Sequence, residues 1–194
     1  TDELTTYNRN FTGPVLTQHF GETDAISAFG QVIWDVTPTF EAAAGARWSR
    51  EEKSIRINRN GVDQLVVPDE RSFEDVSPEL TLSWRPTDSF TIYGAYKQGF
   101  KSGGFAMPFA GGAAVPVPAN VQYLPEEVEG VELGLKASLF DDALRINTAI
   151  YQNDLTNLQV NALDNSSGLP VIRVSNAAAA PARGAEFDAS WSPP

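Results

Sequence analysis

At 194 residues the chain could build one domain with its own core, yet no window holds the ~18 consecutive apolar residues of a membrane-crossing helix. A formal net charge of −11, with 14 Lys and Arg scattered along the chain, argues against a nucleic-acid partner, because phosphate binding needs clustered cations. The absence of cysteine removes a disulfide framework and a thiolate metal site. Modest hydropathy leaves one membrane class open, since a membrane β-barrel places its apolar residues at every second position.

Residues 1–22 mix Asn, Thr, Gly and Pro without a sustained period and read as an irregular lead-in, with a short extended piece near 15–20. His19, the single histidine, lies in it without a second His or a carboxylate at ligand spacing, so it reads as a polar residue and not a catalytic one. Alternation begins at Thr23. Ile26, Ala28, Gly30, Val32, Trp34 and Val36 share one face, and Thr37-Pro38 turns the chain because Pro presets φ and cannot donate to a ladder. The return strand puts Phe40, Ala42, Ala44, Ala46 and Trp48 on the apolar face, then becomes polar through Arg50-Glu51-Glu52-Lys53.

The Asn60-Gly61 step marks a tight hairpin tip projecting beyond the apolar zone, with the chain folding back over 62–67. A strand over 76–85 follows, with a bulge or irregular ladder expected at Pro78. Residues 86–89 turn it, and Phe90, Ile92, Gly94 and Tyr96 climb again. Residues 101–125 are rich in Gly, Ala and Pro without a period and read as a long loop. The clearest stretch is PEEVEGVELGLKASLFDDALRINTAIYQNDLTNLQV, residues 125–160. Val131, Leu133, Leu135, Ala137 and Leu139 oppose Glu132, Gly134, Lys136 and Ser138; after a tight turn at Asp141-Asp142-Ala143, Leu144, Ile146, Thr148 and Ile150 resume the pattern. A second long loop, 156–182, has its tip near 164–168 and a short strand over 171–175, and a last strand covers 183–191.

Connections therefore alternate short and long, and the strands run nearly double the ~5–6 residues usual in a sandwich. The expected fold is all-β: an antiparallel up-and-down meander of about seven long strands, forming a partial, open segment of a transmembrane β-barrel. Trp34, Trp84 and Trp191 each precede a short turn, and Phe40 and Phe90 follow one, which makes these five a candidate membrane aromatic belt at one level. Phe90 and Phe100 share a face; at ~3.3 Å per residue and a tilt of ~40–45° they span roughly 25 Å, the height of an outer-membrane apolar band.

The motifs for catalysis are missing. Gly103-Gly104 and Gly111-Gly112 lack the strand-to-helix context and the Lys of a phosphate loop, and the carboxylate clusters lack the spaced ligands of a calcium loop, so neither an enzyme nor a metal or cofactor is expected. The polar faces are richer. Glu41, Arg47, Glu79, Arg85, Lys97, Glu132, Lys136, Arg145, Glu186 and Asp188 fall on one side of the sheet, with both signs interspersed; that side would be the lumen of a barrel.

Three stretches, in order along the chain, resemble the barrel of TonB-dependent outer-membrane receptors: SPELTLSWRPTDSFTIYGAYKQGFKSGGF (residues 77–105), the hairpin of 125–160, and RGAEFDASWSP (residues 183–193). The resemblance covers about residues 24–194, more weakly before Ser77. It implies a bacterial outer-membrane location and a receptor for active uptake of a scarce small-molecule nutrient such as a ferric siderophore, cobalamin or a glycan. It also implies a plug domain filling the lumen and a TonB complex that energises transport. By that resemblance Glu41, Arg47, Glu79, Lys97, Glu132, Lys136, Arg145 and Glu186 are candidates to hold the plug by charge-assisted hydrogen bonds. The chain lacks a charged and apolar leader and ends at Trp191-Ser192-Pro193-Pro194, where a pattern like Trp84-Arg85-Pro86-Thr87 would turn into another strand, so an internal piece is expected, with plug, TonB box and terminal strands outside it. The alternatives are a segment of a passive porin-like channel and a soluble β-sandwich binding module.

Overall fold

The computed structural model describes residues 2–10, 13–106, 121–165 and 170–192, with the side chains of 2–16 outside the description. The described residues form strands and no helix: β1 (Asp2–Asn10), β2 (Gly13–Thr37), β3 (Phe40–Arg59), β4 (Val62–Gln64), β5 (Glu70–Thr87), β6 (Phe90–Lys101), β7 (Gly104–Phe105), β8 (Gln122–Tyr123), β9 (Glu126–Leu139), β10 (Leu144–Thr156), β11 (Gln159–Asp164), β12 (Val171–Asn176) and β13 (Ala180–Trp191). One nine-stranded sheet runs β1-β2-β3-β5-β6-β9-β10-β13, with β4 also paired to β3, and every neighbour is antiparallel. The small pairs β7–β8 and β11–β12 arise inside the two long connections. The strand order is that of the expected up-and-down meander, and no second sheet of comparable size packs on it among the described residues.

The short turns all lie at one edge. Backbone bonds run there from one turn to the next strand: Arg85 N–H to Thr39 O at 2.7 Å, Ser138 N–H to Ser89 O at 2.9 Å and Ser192 N–H to Ala143 O at 2.8 Å. Phe140, Asp141 and Asp142 take positive φ of 56°, 54° and 68°, a left-handed stretch that Asp accepts more readily than most residues. At the opposite edge Asn60 and Gly61 have φ of 50° and 84°, the pair of positive angles that a type I′ hairpin needs. Asn58 fastens that tip by accepting the Gly61 N–H at 2.9 Å and donating to Asp63 at 2.7 Å.

Paired residues of an antiparallel ladder share a face, so the registers sort the side chains. One row reads Phe40, Trp84, Ile92, Leu135, Thr148 and Phe187; the next toward the middle reads Trp34, Ala42, Leu82, Gly94, Leu133, Ile150 and Ala185. Trp34, Leu82, Leu133, Ile150 and Phe187 keep between 41% and 72% of their surface exposed, an amount no water-soluble core would leave. Trp48 closes this apolar face at its upper level, its indole N–H bonded to Glu74 at 2.7 Å, and Arg50 and Glu52 follow beyond it on β3.

Three expectations need correction. Residues 1–22 are not irregular: β1 and the first part of β2 form a hairpin, with Asp2 opposite Gly21 and Asn10 opposite Gly13. Alternation could not reveal it, because the sequence of 2–20 keeps no sustained apolar period and the strands are specified by backbone pairing. Pro78 carries no bulge. The β3–β5 ladder passes through Ala46↔Pro78 without a shift, whereas the β5–β6 ladder stops at Glu79↔Lys97, one residue short of the proline that has no N–H to offer. The register shifts fall instead at Asp35/Thr37 and Trp84/Thr87, beside the short turns. The loop over 156–182 holds the expected short strand of 171–175 as β12, but is more ordered than expected because β11 pairs with it along its length; of its expected tip, 166–168 lie outside the described residues, as do 107–120 of the other long loop.

Candidate functional site

The polar face assembles the expected ionic residues. The registers put Glu41, Arg47, Glu79, Lys97, Glu132, Lys136, Arg145 and Glu186 on the side opposite the exposed apolar rows, and Trp34, Phe40, Trp84, Phe90 and Trp191 on the apolar side near the short-turn edge. Arg85 grips Glu41 with two hydrogen bonds of 3.2 and 3.3 Å, Gln31 donates to Glu79 at 2.9 Å, and Arg47 donates to Ser27 at 3.0 Å and Ser49 at 3.2 Å. Tyr93 donates its hydroxyl to Glu132 at 2.6 Å, while the Lys136 ammonium sits 5.6 Å from the Tyr93 ring centre. The ring lies flat against Gly134: a Cβ there would come within 2.4 Å of it. Lys97, Arg145 and Glu186 remain exposed, and their side chains make no hydrogen bond or ion pair among the described residues. An open groove of about 640 Å³ includes Gln31, Arg47, Glu51, Glu79 and Lys97 in its lining.

The groove rises toward a small core that the sequence did not announce. Ile55 and Ile57 stand on the same face of β3 as Glu51, yet they are 4% and 0% exposed, because Val66 and Val121 pack on them and Phe105 flanks the cluster. Each such buried side chain contributes about 1.5–3 kcal/mol, which is what holds the first long connection and the segment before β5 over the polar face. An ionic knot ties them down. Lys53 donates to Ser102 Oγ at 2.6 Å and to Gly103 O at 3.0 Å, and Ser102 donates its hydroxyl to Glu51 at 2.6 Å. Arg71 donates to Gln122, whose amide reaches Pro68 O at 2.9 Å.

Gly103 sits where this roof is tightest. A Cβ there would lie 2.5 Å from Tyr123 O and 2.6 Å from the Phe73 ring, and the first of these is backbone that cannot swing aside. Gly103→Ala should therefore cost about 1–3 kcal/mol of roof stability, read as faster amide exchange over 102–106 and 121–124; unchanged exchange would refute the contact.

Glu51 makes the knot pH-sensitive. The Ser102 hydroxyl, followed by Lys53, holds its pKa below the ordinary carboxylate value despite partial burial, which works the other way. A depressed folded value means stabilisation that is complete above the unfolded carboxylate pKa of 4.5 and is lost as pH falls through the folded value. His19, buried with Nδ1 unpartnered among the described residues, is held below 6.5 by burial, so protonation of the unfolded chain already lowers stability as pH drops through 6.5. Both contributions have one sign. Acidification from pH 7 to 4 should loosen the roof, and Glu51→Gln should flatten the lower part of that profile; a Gln variant with the parent's acid profile would contradict the role of Glu51.

No sequence pattern singles out Glu51, Lys53, Ser102, Arg71 and Gln122 as a group, nor Gln159 and Asn176, whose side-chain amides donate to Leu124 O at 3.2 and 2.9 Å. The available signal was the GFKSGGF run at the end of a strand, where adjacent glycines imply close backbone approach.

An open antiparallel sheet with one exposed apolar face, one charged face and long loops gathered at a single edge is a segment of an outer-membrane β-barrel. The family model described as TonB dependent receptor-like, beta-barrel matches residues 1–192, and the chain belongs to that family. It is 25% identical over 170 residues to the pesticin receptors of Yersinia enterocolitica and Yersinia pestis, a match covering 87% of this chain and 24% of theirs. The chain thus spans about a quarter of the length of the curated relatives it matches. Among solved structures it is similar to the ferric yersiniabactin uptake receptor FyuA from Yersinia pestis, with a TM-score of 0.74 and 19% identity over 97% of this chain and 27% of that one. The alcaligin outer membrane receptor FauA from Bordetella pertussis gives a TM-score of 0.59 and 18% identity over 97% and 34% of the two chains. The ferric-catecholate import receptor Fiu from K12 E. coli gives 0.60 and 14% over 92% and 26%.

Proposed function

We propose that this chain is part of the wall of a receptor that takes up a ferric siderophore across the outer membrane, with the apolar face against lipid and the charged face lining the lumen. The observation that carries this reading is the one-sidedness of the sheet. Val121 of the first long connection and Val66 of the segment before β5 bury Ile55 and Ile57 on the charged face, while Leu133 and Ile150 opposite stay bare. A charged lumen roofed at one edge suits a gated receptor better than a passive channel. The ferric siderophore is favoured over cobalamin or a glycan because FyuA is named for ferric yersiniabactin uptake, FauA for alcaligin and Fiu for ferric-catecholate import.

In this reading the plug domain and the TonB complex are supplied by other parts of the system. Lys97, Arg145 and Glu186, exposed on the charged face without a partner among the described residues, are the first candidates to pair with the plug. Glu41, Arg47, Glu79, Glu132 and Lys136 present further acceptors and donors on the same face. Trp34, Phe40, Trp84, Phe90 and Trp191 form the aromatic belt at the inner membrane boundary. The test is deletion of the full-length gene followed by growth on ferric siderophores as sole iron source. Loss of growth that returns with the gene and requires TonB supports the proposal. Unchanged iron uptake with loss of cobalamin or glycan uptake would reassign the nutrient, and TonB-independent solute leakage would restore the porin-like alternative.

A further inference from the structure

Among the described strands, every seam from β2 to β13 but one stays paired through the apolar band. The β5–β6 ladder ends at Glu79↔Lys97, while β5 goes on pairing with β3 as far as Glu70 and β6 with β9 as far as Lys101. From Trp84 to Glu79 the strand climbs ~12 Å at ~3.3 Å per residue and a tilt of ~40–45°, about half the height of an outer-membrane apolar band. The break therefore lies inside the membrane. The bonds Arg85 N–H to Thr39 O and Ser138 N–H to Ser89 O fix the phase of the flanking ladders: odd-numbered residues of β5 bond to β3, and odd-numbered residues of β6 to β9. Even-numbered residues turn their backbone groups into the seam. Pro78 and Gln98 would be the next bonded pair, but Pro78 has no N–H for the Gln98 carbonyl; Val76 and Phe100 would follow, and no pair forms there either.

The open groove beside Arg47 runs along this break, with Ser77, Pro78 and Glu79 of β5 and Lys97, Gln98 and Gly99 of β6 in its lining. Hydrocarbon does not tolerate a strand edge without partners; such an edge must border protein or water. At about 640 Å³, and with Glu79 and Lys97 at its wall, the groove is polar and roomy enough for water. We propose that β5 and β6 part from Pro78 toward the long-loop edge and that the gap is a hydrated lateral notch, where lumenal water reaches strand edges inside the membrane-spanning wall. Proline is suited to place it, because the ring removes a donor from the seam and leaves the Ala46↔Pro78 pairing on the other side intact. The notch rests on the barrel-wall reading and is independent of the nutrient.

The experiment uses the full-length receptor in outer membranes, cleared of any other cysteine, with assembly checked by heat-modifiable migration. Val76→Cys with Phe100→Cys would be directly opposite if the ladder ran on, as Leu80→Cys with Tyr96→Cys are within it. Under copper phenanthroline the Leu80/Tyr96 pair should cross-link at least about tenfold faster, because a disulfide needs the two strands in contact. Gln98→Cys alone should react with a charged, membrane-impermeant thiosulfonate at least about tenfold faster than Ala46→Cys, which lies on the same face in a closed seam. Cross-linking of the Val76/Phe100 pair as fast as the control shows a continuous ladder and overturns the notch. Slow labelling at both single positions shows a gap filled without water and overturns it too. Fast labelling at both rejects the lipid-facing assignment itself, and the notch with it. Where a cysteine pair fails to assemble, residue-resolved hydrogen exchange on the unmodified receptor decides: the Val76 and Phe100 amides should exchange at least about tenfold faster than those of Leu80 and Tyr96, and equal rates refute the proposal.

Discussion

Replacing Leu133 by arginine in the full-length receptor should sharply reduce its yield in the outer membrane. Leu133 lies in the row of Leu82, Gly94 and Ile150, 53% exposed on the apolar face. It stands two rows in from Phe90, whose partner on β9 is Ala137, and so lies nearer mid-membrane than Leu135, which is one row in beside Ile92. A lipid-facing Arg costs about 2–4 kcal/mol at the midplane and about 0–1 near the interface. Leu135→Arg should therefore be milder than Leu133→Arg, and Asn147→Arg on the charged face milder than both. Outer-membrane fractions probed by heat-modifiable migration check this; equal yields of the three variants would show that depth and facing are misassigned.

The second large effect concerns the chain by itself. Residues 1–194 expressed without detergent should aggregate and not give a soluble monomer. Seven of the strands have twelve or more residues, too few to close a sheet whose stagger belongs to a wider barrel, because diameter grows with strand number and closure requires a matching shear. Both edges stay open. On one side β1 covers β2 only as far as Gly21, so residues 22–37 keep a free ladder edge; the other edge is β13. Unpaired N–H and C=O groups beside exposed Val32, Trp34 and Phe187 are a template for further pairing. A stable monomer with cooperative unfolding in plain buffer would contradict the barrel reading.

What was legible in the sequence follows from where an environment imposes a period. Lipid on one side and charge on the other force strict alternation, so the strands around Val131 to Ile150, the three short turns and the two faces could be read residue by residue. The Asn60-Gly61 tip was legible because its positive φ angles demand that chemistry. Above the apolar band the signal fades. β1 (DELTTYNRN) and the start of β2 (GPVLTQHF) keep no sustained apolar alternation in sequence, and their pairing rests on backbone hydrogen bonds that any residue except proline can make. The roof was hidden for another reason. Ile55 and Ile57 look like an ordinary alternating pair until Val66 and Val121, far away in the chain, cover them, and the amide contacts of Gln159 and Asn176 leave no mark of spacing at all.

The central claim, that one face of this sheet meets lipid and the other the lumen, is tested most directly along β9. These 194 residues have no cysteine, so in a full-length receptor cleared of any cysteine elsewhere, single cysteines at positions 130 to 136 in lipid vesicles can carry a spin label whose collisions with oxygen and with a water-soluble nickel chelate are compared. Oxygen accessibility should oscillate with a period of two, with maxima at 131, 133 and 135 and minima at 130, 132, 134 and 136. A flat profile, or maxima at 132, 134 and 136, would contradict the assignment of the two faces.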